Sequence, residues 1–154
     1  MFLTRILSEC ALELGLGLIA SETHGMAIRG GSVISTLKVG SFRGPLIRSG
    51  QADLMLVLDE EYNEAFSYLL KAGGTLFLNA SGSSSFPSID ATALAGEIGA
   101  PLTANLILLG FALRHNQLFC DFAMAESVTG RMSPDRFREV NLKALRLGYA
   151  KESR

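Results

Sequence analysis

An α/β fold, with a mostly parallel sheet and one antiparallel hairpin, is what the 154-residue sequence predicts. Three observations carry that reading. Several segments repeat apolar residues at three- and four-residue spacing, the period of a helix buried on one side. Between them stand short apolar runs, of which Leu54-Met55-Leu56-Val57-Leu58 is unbroken, as in a parallel strand covered on both faces. Helix-capping residues (Asp59, Asp90, Ser133) follow or separate those runs. The length argues for one domain over residues 1–154, large enough to bury roughly two-thirds of its unfolded surface without staples.

The first helix carries Phe2, Leu3, Ile6, Leu7, Cys10, Ala11 and Leu14 on one face and Arg5, Ser8, Glu9 and Glu13 on the other. Gly15 stops it. Leu16–Ser21 reads as a strand, followed by a turn from Glu22 to Gly31. Ser32–Val39 alternates as a second strand, and Gly40-Ser41-Phe42-Arg43-Gly44 turns it back into a short Pro45–Arg48 strand, giving the hairpin. The buried strand Asp53–Asp59 follows. Asp59 then caps a helix with Tyr62, Ala65, Phe66 and Leu69 inward, which Gly73-Gly74 ends. Thr75–Asn79 is a further strand and Ala80–Pro87 a Ser/Gly loop. Asp90 caps a short helix to Glu97, broken by Gly99-Ala100-Pro101. Thr103–Asn116 is a helix apolar on most sides, hence sandwiched, and Leu118–Val128 is a weaker amphipathic segment. The last helix takes Ser133 as N-cap and Pro134 at N1, with Phe137, Val140, Ala144 and Leu147 inward.

Composition excludes several classes of function. With 14 basic and 15 acidic side chains the formal charge is −1, which gives no global attraction to nucleic acid or anionic lipid. Two cysteines, Cys10 and Cys120, are too few for an iron–sulfur cluster or a cysteine-only zinc site, and they build no disulfide framework. A reducing cytoplasm is the expected compartment. The Ile98–Leu113 run is too short to span a bilayer and contains Pro101 and Asn105. A hydrophobic fraction of 48% against 19% charged residues predicts apolar surface left for a partner.

The densest unusual segment is Glu22–Ser32, with three glycines, His24 and Arg29. From Glu22 to Asp53 the chain holds Arg29, Lys38, Arg43 and Arg48 and no carboxylate between those two ends, a local positive field. Glycine backbone N–H groups beside a guanidinium form a nest for a phosphate or carboxylate. The plainer reading is a turn whose glycines take positive φ and cations that only solvate a hairpin. A Ser/His/acid triad from Ser21 or Ser32 with His24 and Glu22 lacks a nucleophile elbow. No metal-ligand spacing surrounds His24 or His115, so catalytic and metal residues are both expected to be none.

The string Glu22-x-His24-Gly25-Met26-Ala27-x-Arg29-Gly30-Gly31-Ser32-Val33 resembles the gamma subunit or domain of 2-oxoacid:ferredoxin oxidoreductases, of the pyruvate, 2-oxoisovalerate, 2-oxoglutarate and indolepyruvate types. The similarity continues through Pro45-Leu46-Ile47, Gly50-x-Ala52-Asp53-Leu54, Leu58-Asp59 and Gly73-Gly74-x-x-x-x-Asn79. It resumes at Ala104-Asn105, Gly110, Asn141-x-x-Ala144 and Gly148-Tyr149. The resemblance implies a three-layer α/β/α domain like domain III of pyruvate-ferredoxin oxidoreductase. Such complexes decarboxylate a 2-oxoacid on thiamine diphosphate with magnesium, send electrons through iron–sulfur clusters to ferredoxin, and form an acyl-coenzyme A.

This chain has neither the cysteines for a cluster nor a Gly-Asp-Gly segment followed by paired asparagines for a diphosphate and its metal. The resemblance therefore implies a companion subunit, beside thiamine-diphosphate-binding alpha and beta subunits and a ferredoxin-like iron–sulfur subunit. It binds no cofactor alone and is catalytically incomplete alone. Glu22, His24, Arg29, Gly30, Gly31 and Ser32 are its expected cofactor-binding residues: Arg29 and the glycine N–H groups toward the anionic end of coenzyme A, Glu22 and His24 either shaping the turn or meeting the thiamine-bearing subunit. Family members begin with a strand and a Gly-x-Gly-Gly-Gln-Gly loop that would fall just before Met1, and an in-frame upstream segment is expected to encode them. The alternatives are a stand-alone α/β coenzyme- or nucleotide-binding module, and a remnant without its glycine loop.

Overall fold

The computed structural model describes residues 2–24, 33–115 and 118–152. The chain divides into two compact units, Met1–Ile47 and Arg48–Arg154.

In the first unit, α1 (Phe2–Glu13) contacts β1 (Leu18–His24) and β2 (Val33–Val39). Ile6, Leu7, Cys10 and Ala11 are buried, as the apolar stripe predicts, whereas Leu14 stays 43% exposed. The helix ends in a Schellman motif: Leu16 N–H donates to Ala11 O and Gly15 N–H to Leu12 O, with Gly15 at φ +69°. The antiparallel pair is β1–β2, registered from Leu18 opposite Val39 to His24 opposite Val33. This corrects the expected partner, because Pro45–Arg48 forms no strand. Pro45 has no N–H for a ladder, and the Gly40 N–H instead continues the β1–β2 pairing by donating to Gly17 O at 2.7 Å.

In the second unit, β3 (Ala52–Val57), β4 (Leu70–Asn79) and β5 (Ser88–Ile89) form a parallel sheet in the order β3-β4-β5. The fold is α/β, with this sheet and the antiparallel pair. β4 is the central strand and buries Leu76, Phe77 and Leu78. β3 pairs with β4 alone among the described residues, so Leu54, Met55 and Leu56 are only half-buried and Leu58 is exposed, where burial on both faces was expected. The expected helix after Asp59 is broken up. Asp59 Oδ1 accepts from Glu61 N–H and caps a short 3-10 turn, and α2 (Asn63–Phe66) is four residues long. Gly73-Gly74 lies inside a bulge of β4, where pairing jumps from Ala52–Leu70 to Leu54–Thr75.

Asp90 caps α3 (Ala91–Glu97) through Ala93 N–H at 2.8 Å, and Asp121 caps α5 (Phe122–Met132) through Met124 N–H at 2.8 Å. Between them α4 (Ala104–Arg114) is buried from Leu106 to Leu113, as its all-round apolar sequence predicts. Phe111 on α4 meets Phe77 edge-on at 5.9 Å, seating the helix on one sheet face. Val57, Leu76, Leu78 and Ala80 fill the other face, with Met55, Leu70 and Phe86 packed against them. The last helix, α6 (Asp135–Tyr149), runs along α4 and starts after Pro134. Ser133 is not its side-chain cap; its buried hydroxyl accepts from Asn141 Nδ2 at 2.9 Å. Phe137, expected inward, is 45% exposed under the Arg136 guanidinium. No described helix is long and apolar enough to cross a membrane.

Asn79 ties the carboxyl end of this sheet together. Its Nδ2 donates to Leu58 O at 2.9 Å and to Thr92 Oγ1 at 2.8 Å, and its Oδ1 accepts from Thr92 N–H at 3.2 Å. Asn79→Ala is expected to cost about 1–3 kcal/mol in urea unfolding, since three hydrogen bonds lose their partner. A midpoint equal to wild type would show that water replaces the amide without loss.

Candidate functional site

The ribbon of β1 and β2 carries two of the expected site residues, Glu22 and His24. Side chains alternate faces along a strand, so Glu22 and His24 share a face, and the register sets Ser35 and Val33 directly opposite them. Ser35 Oγ donates to Glu22 Oε1 at 3.5 Å. The other carboxylate oxygen, Oε2, lies 3.8 Å from His24 Nε2. Glu22 keeps 27% of its side chain exposed and His24 61%, so the imidazole stands open on a carboxylate that is partly enclosed.

Glu22, Thr23 and His24 belong to β1, whereas the sequence reading began a turn at Glu22. Polar residues alternating on a two-stranded ribbon look like a loop in sequence, and only the pairing with Val33–Ser35 makes them a strand. Arg29, Gly30, Gly31 and Ser32 lie outside the described residues. Ser35 was missed by the sequence reading. Its signal is the even spacing from Val33 combined with the cross-strand register, which depends on β1 reaching His24.

A serine-hydrolase arrangement from Ser21 is not built. Ser21 lies one residue from Glu22, hence on the opposite face, and its carbonyl accepts from Thr36 Oγ1 at 3.4 Å. Lys38 sits over the Phe42 ring at 5.2 Å, so that cation already has an aromatic partner. Arg43 and Arg48 are exposed. Among the described residues no cluster of three or more His, Cys, Asp or Glu could hold a metal. Cys10 and Cys120 are buried, free of any disulfide. What the described part of the ribbon offers is therefore an imidazole beside a carboxylate, both at the end of β1 that leads into residues 25–32.

Comparison with known proteins gives the family of the chain. The family model described as pyruvate ferredoxin/flavodoxin oxidoreductase matches residues 1–151. The chain belongs to that family. It is 32% identical to the indolepyruvate oxidoreductase subunit IorB of Pyrococcus horikoshii, over 93% of this chain and 85% of the relative. The fold is shared with pyruvate oxidoreductase subunit PORC of Thermotoga maritima at a TM-score of 0.75 and 24% identity, covering 97% of this chain and 87% of that one. It is also shared with 2-oxoglutarate:ferredoxin oxidoreductase of Magnetococcus marinus, solved with 2-oxoglutarate, coenzyme A and succinyl-CoA bound. There the TM-score is 0.76 at 16% identity, over 97% of this chain and 28% of the longer one. In both structural cases the likeness is of fold.

Proposed function

We propose that the chain is the gamma-type subunit of a 2-oxoacid:ferredoxin oxidoreductase complex that converts a 2-oxoacid to an acyl-coenzyme A. The observation that carries this reading is the family match over residues 1–151, joined to the Glu22–His24 ribbon that brackets the glycine–arginine segment. In this reading residues 1–154 act as one gamma-type domain packed on thiamine-diphosphate-binding alpha and beta subunits in the cytoplasm, and a ferredoxin-like iron–sulfur subunit takes the electrons.

The residues do not suit the redox cofactors themselves. Two buried cysteines cannot ligate a cluster, and the sequence has no Gly-Asp-Gly segment followed by paired asparagines for thiamine diphosphate and its magnesium, so this reading assigns all three to the partners. Coenzyme A is a better match. Its phosphates need donors and positive charge, which Arg29 and the Gly30, Gly31 and Ser32 N–H groups supply, with His24 and Glu22 on the flanking strand. The chain's work is then binding and orientation: holding the coenzyme's anionic end while the thiol end meets chemistry on another subunit.

Co-expression with the thiamine-bearing subunits tests the reading. The chain is expected to copurify with them in a fixed ratio through gel filtration. A chain that elutes alone, from a preparation in which the other subunits assemble and turn over, would refute it.

A further inference from the structure

We infer that the outer edge of β3 is an interface for a second copy of this chain, paired antiparallel across a twofold axis at Leu56. β3 ends its sheet in the order β3-β4-β5 and carries no strand on its outer side among the described residues. Both faces beside it are covered. Leu56 stands next to Phe77 in the β3–β4 register, and Phe77 is fully buried. On the other face Val57 is buried beside Leu78, with Met55 packed against the same cluster. The half-exposure of Leu54, Met55 and Leu56 therefore lies on the outer edge, where every second residue also turns its N–H and C=O outward. Proline, lysine or extreme shortness ordinarily blunts such an edge. β5, at the opposite edge, is two residues long. β3 has six residues and neither proline nor lysine.

The residues of the edge select its occupant. Asp53-Leu54-Met55-Leu56-Val57-Leu58-Asp59 reads nearly the same in both directions. A twofold axis normal to the sheet sets Leu56 opposite itself, Leu54 opposite the partner's Leu58 and Met55 opposite the partner's Val57. Opposed residues share a face, so leucine meets leucine on one side and methionine meets valine on the other. Leu58, exposed in the single chain, gains cover. The same register puts Asp53 opposite the partner's Asp59 at each end of the seam, a pairing that like charges disfavour. Lys71 offsets it. Its ammonium already pairs with Asp53 and stays half-exposed, and Asp59 is exposed, so each end holds one cation for two carboxylates. A near-palindrome is what a self-complementary contact between identical chains requires, and a strand from a different protein would have no need of it.

This contact does not depend on the proposed coenzyme site, and sedimentation equilibrium of the full chain tests it alone. A concentration-dependent dimer is expected. Leu58→Lys, which puts cations into an apolar seam, should raise the dimer Kd roughly tenfold or more at an unchanged melting temperature. Cysteine cross-linking fixes the register. Leu56→Cys should join to its own copy under mild oxidation, because opposed residues lie within disulfide reach. Leu54→Cys should not join, whereas Leu54→Cys with Leu58→Cys in one chain should. Cys10 and Cys120 are buried, and the wild-type chain gives the background. A chain monomeric at all concentrations overturns the proposal, as does a dimer that Leu58→Lys leaves intact or that Leu56→Cys fails to join. If Leu58→Lys abolishes assembly with the thiamine-bearing subunits while the chain alone stays monomeric, the edge belongs to those subunits instead. If β3 amides are protected from hydrogen exchange in a monomer, the chain covers the edge itself.

Discussion

Gly148→Ala is expected to destabilise residues 48–154 by roughly 4 kcal/mol, the largest loss of any single change considered for this fold. A Cβ built at Gly148 stands 1.9 Å from Ile107 O and 2.9 Å from Ile107 Cα, and one built at Gly110 stands 2.1 Å from Leu145 O. Those neighbours are backbone atoms on the facing helix, so no side-chain rotation relieves the clash. At these two glycines α4 and α6 approach so closely that neither position has room for a Cβ. Parting them would open the contact around Leu106–Leu113, Ala144 and Leu145, which are nearly or fully buried. Overpacking typically costs 1–3 kcal/mol and more where backbone must move. With total stabilities of about 5–15 kcal/mol, a loss of roughly 4 kcal/mol removes most of the margin of a domain at the low end of that range. Alanine's better helix propensity returns only ~1 kcal/mol.

Gly130→Ala is the control. Its Cβ would lie 3.8 Å from the Leu142 methyls, an ordinary contact, and the urea midpoint should hold or rise. Equal midpoints for Gly148→Ala and wild type would contradict the close helix approach.

Arg29→Ala is the second large effect. In the assembled complex, removing the guanidinium is expected to weaken coenzyme A by about 1.5–3 kcal/mol, the worth of a hydrogen bond to a charged group, or roughly 10- to 150-fold in Kd. Gly30→Val should harm folding and binding together, since a β-branched residue resists the positive φ expected in the nest. The plainer view of this segment as a structural turn forecasts otherwise: lower assembly or melting temperature, with coenzyme affinity unchanged in the complexes that do form. Calorimetric titration of coenzyme A into both complexes separates the two, and equal affinities would exclude Arg29 from the site.

Much of the fold was legible where one local cause determines the structure. Asp90 and Gly15 act as the cap and stop their chemistry implies, and a run apolar on all sides, as in α4, has nowhere to go but the interior. Elements set by distant partners were not legible. Glu22–His24 is a strand only because Val33–Ser35 pairs with it, and Pro45–Arg48 loses its expected pairing to Gly17–Leu18. Gly110 and Gly148 stood out as fragments of a motif, but nothing local says that each lies under a backbone carbonyl of the other helix. The expected site residues lie in Glu22–Ser32, of which the structure describes Glu22 and His24, both on β1. Ser35 escaped because its partner is thirteen residues away, across a strand pair that polar residues disguise.

The central claim is that this chain is a necessary but catalytically silent subunit, and reconstitution tests it most directly. Coenzyme A-dependent reduction of a ferredoxin or a low-potential dye by a 2-oxoacid would be followed with thiamine-bearing and iron–sulfur subunits, with and without this chain. The chain alone should be inactive and free of iron, sulfide and thiamine diphosphate, and the activity of the others should appear when it is added. Activity from the chain by itself, or the same coenzyme A-dependent rate without it, would contradict the account.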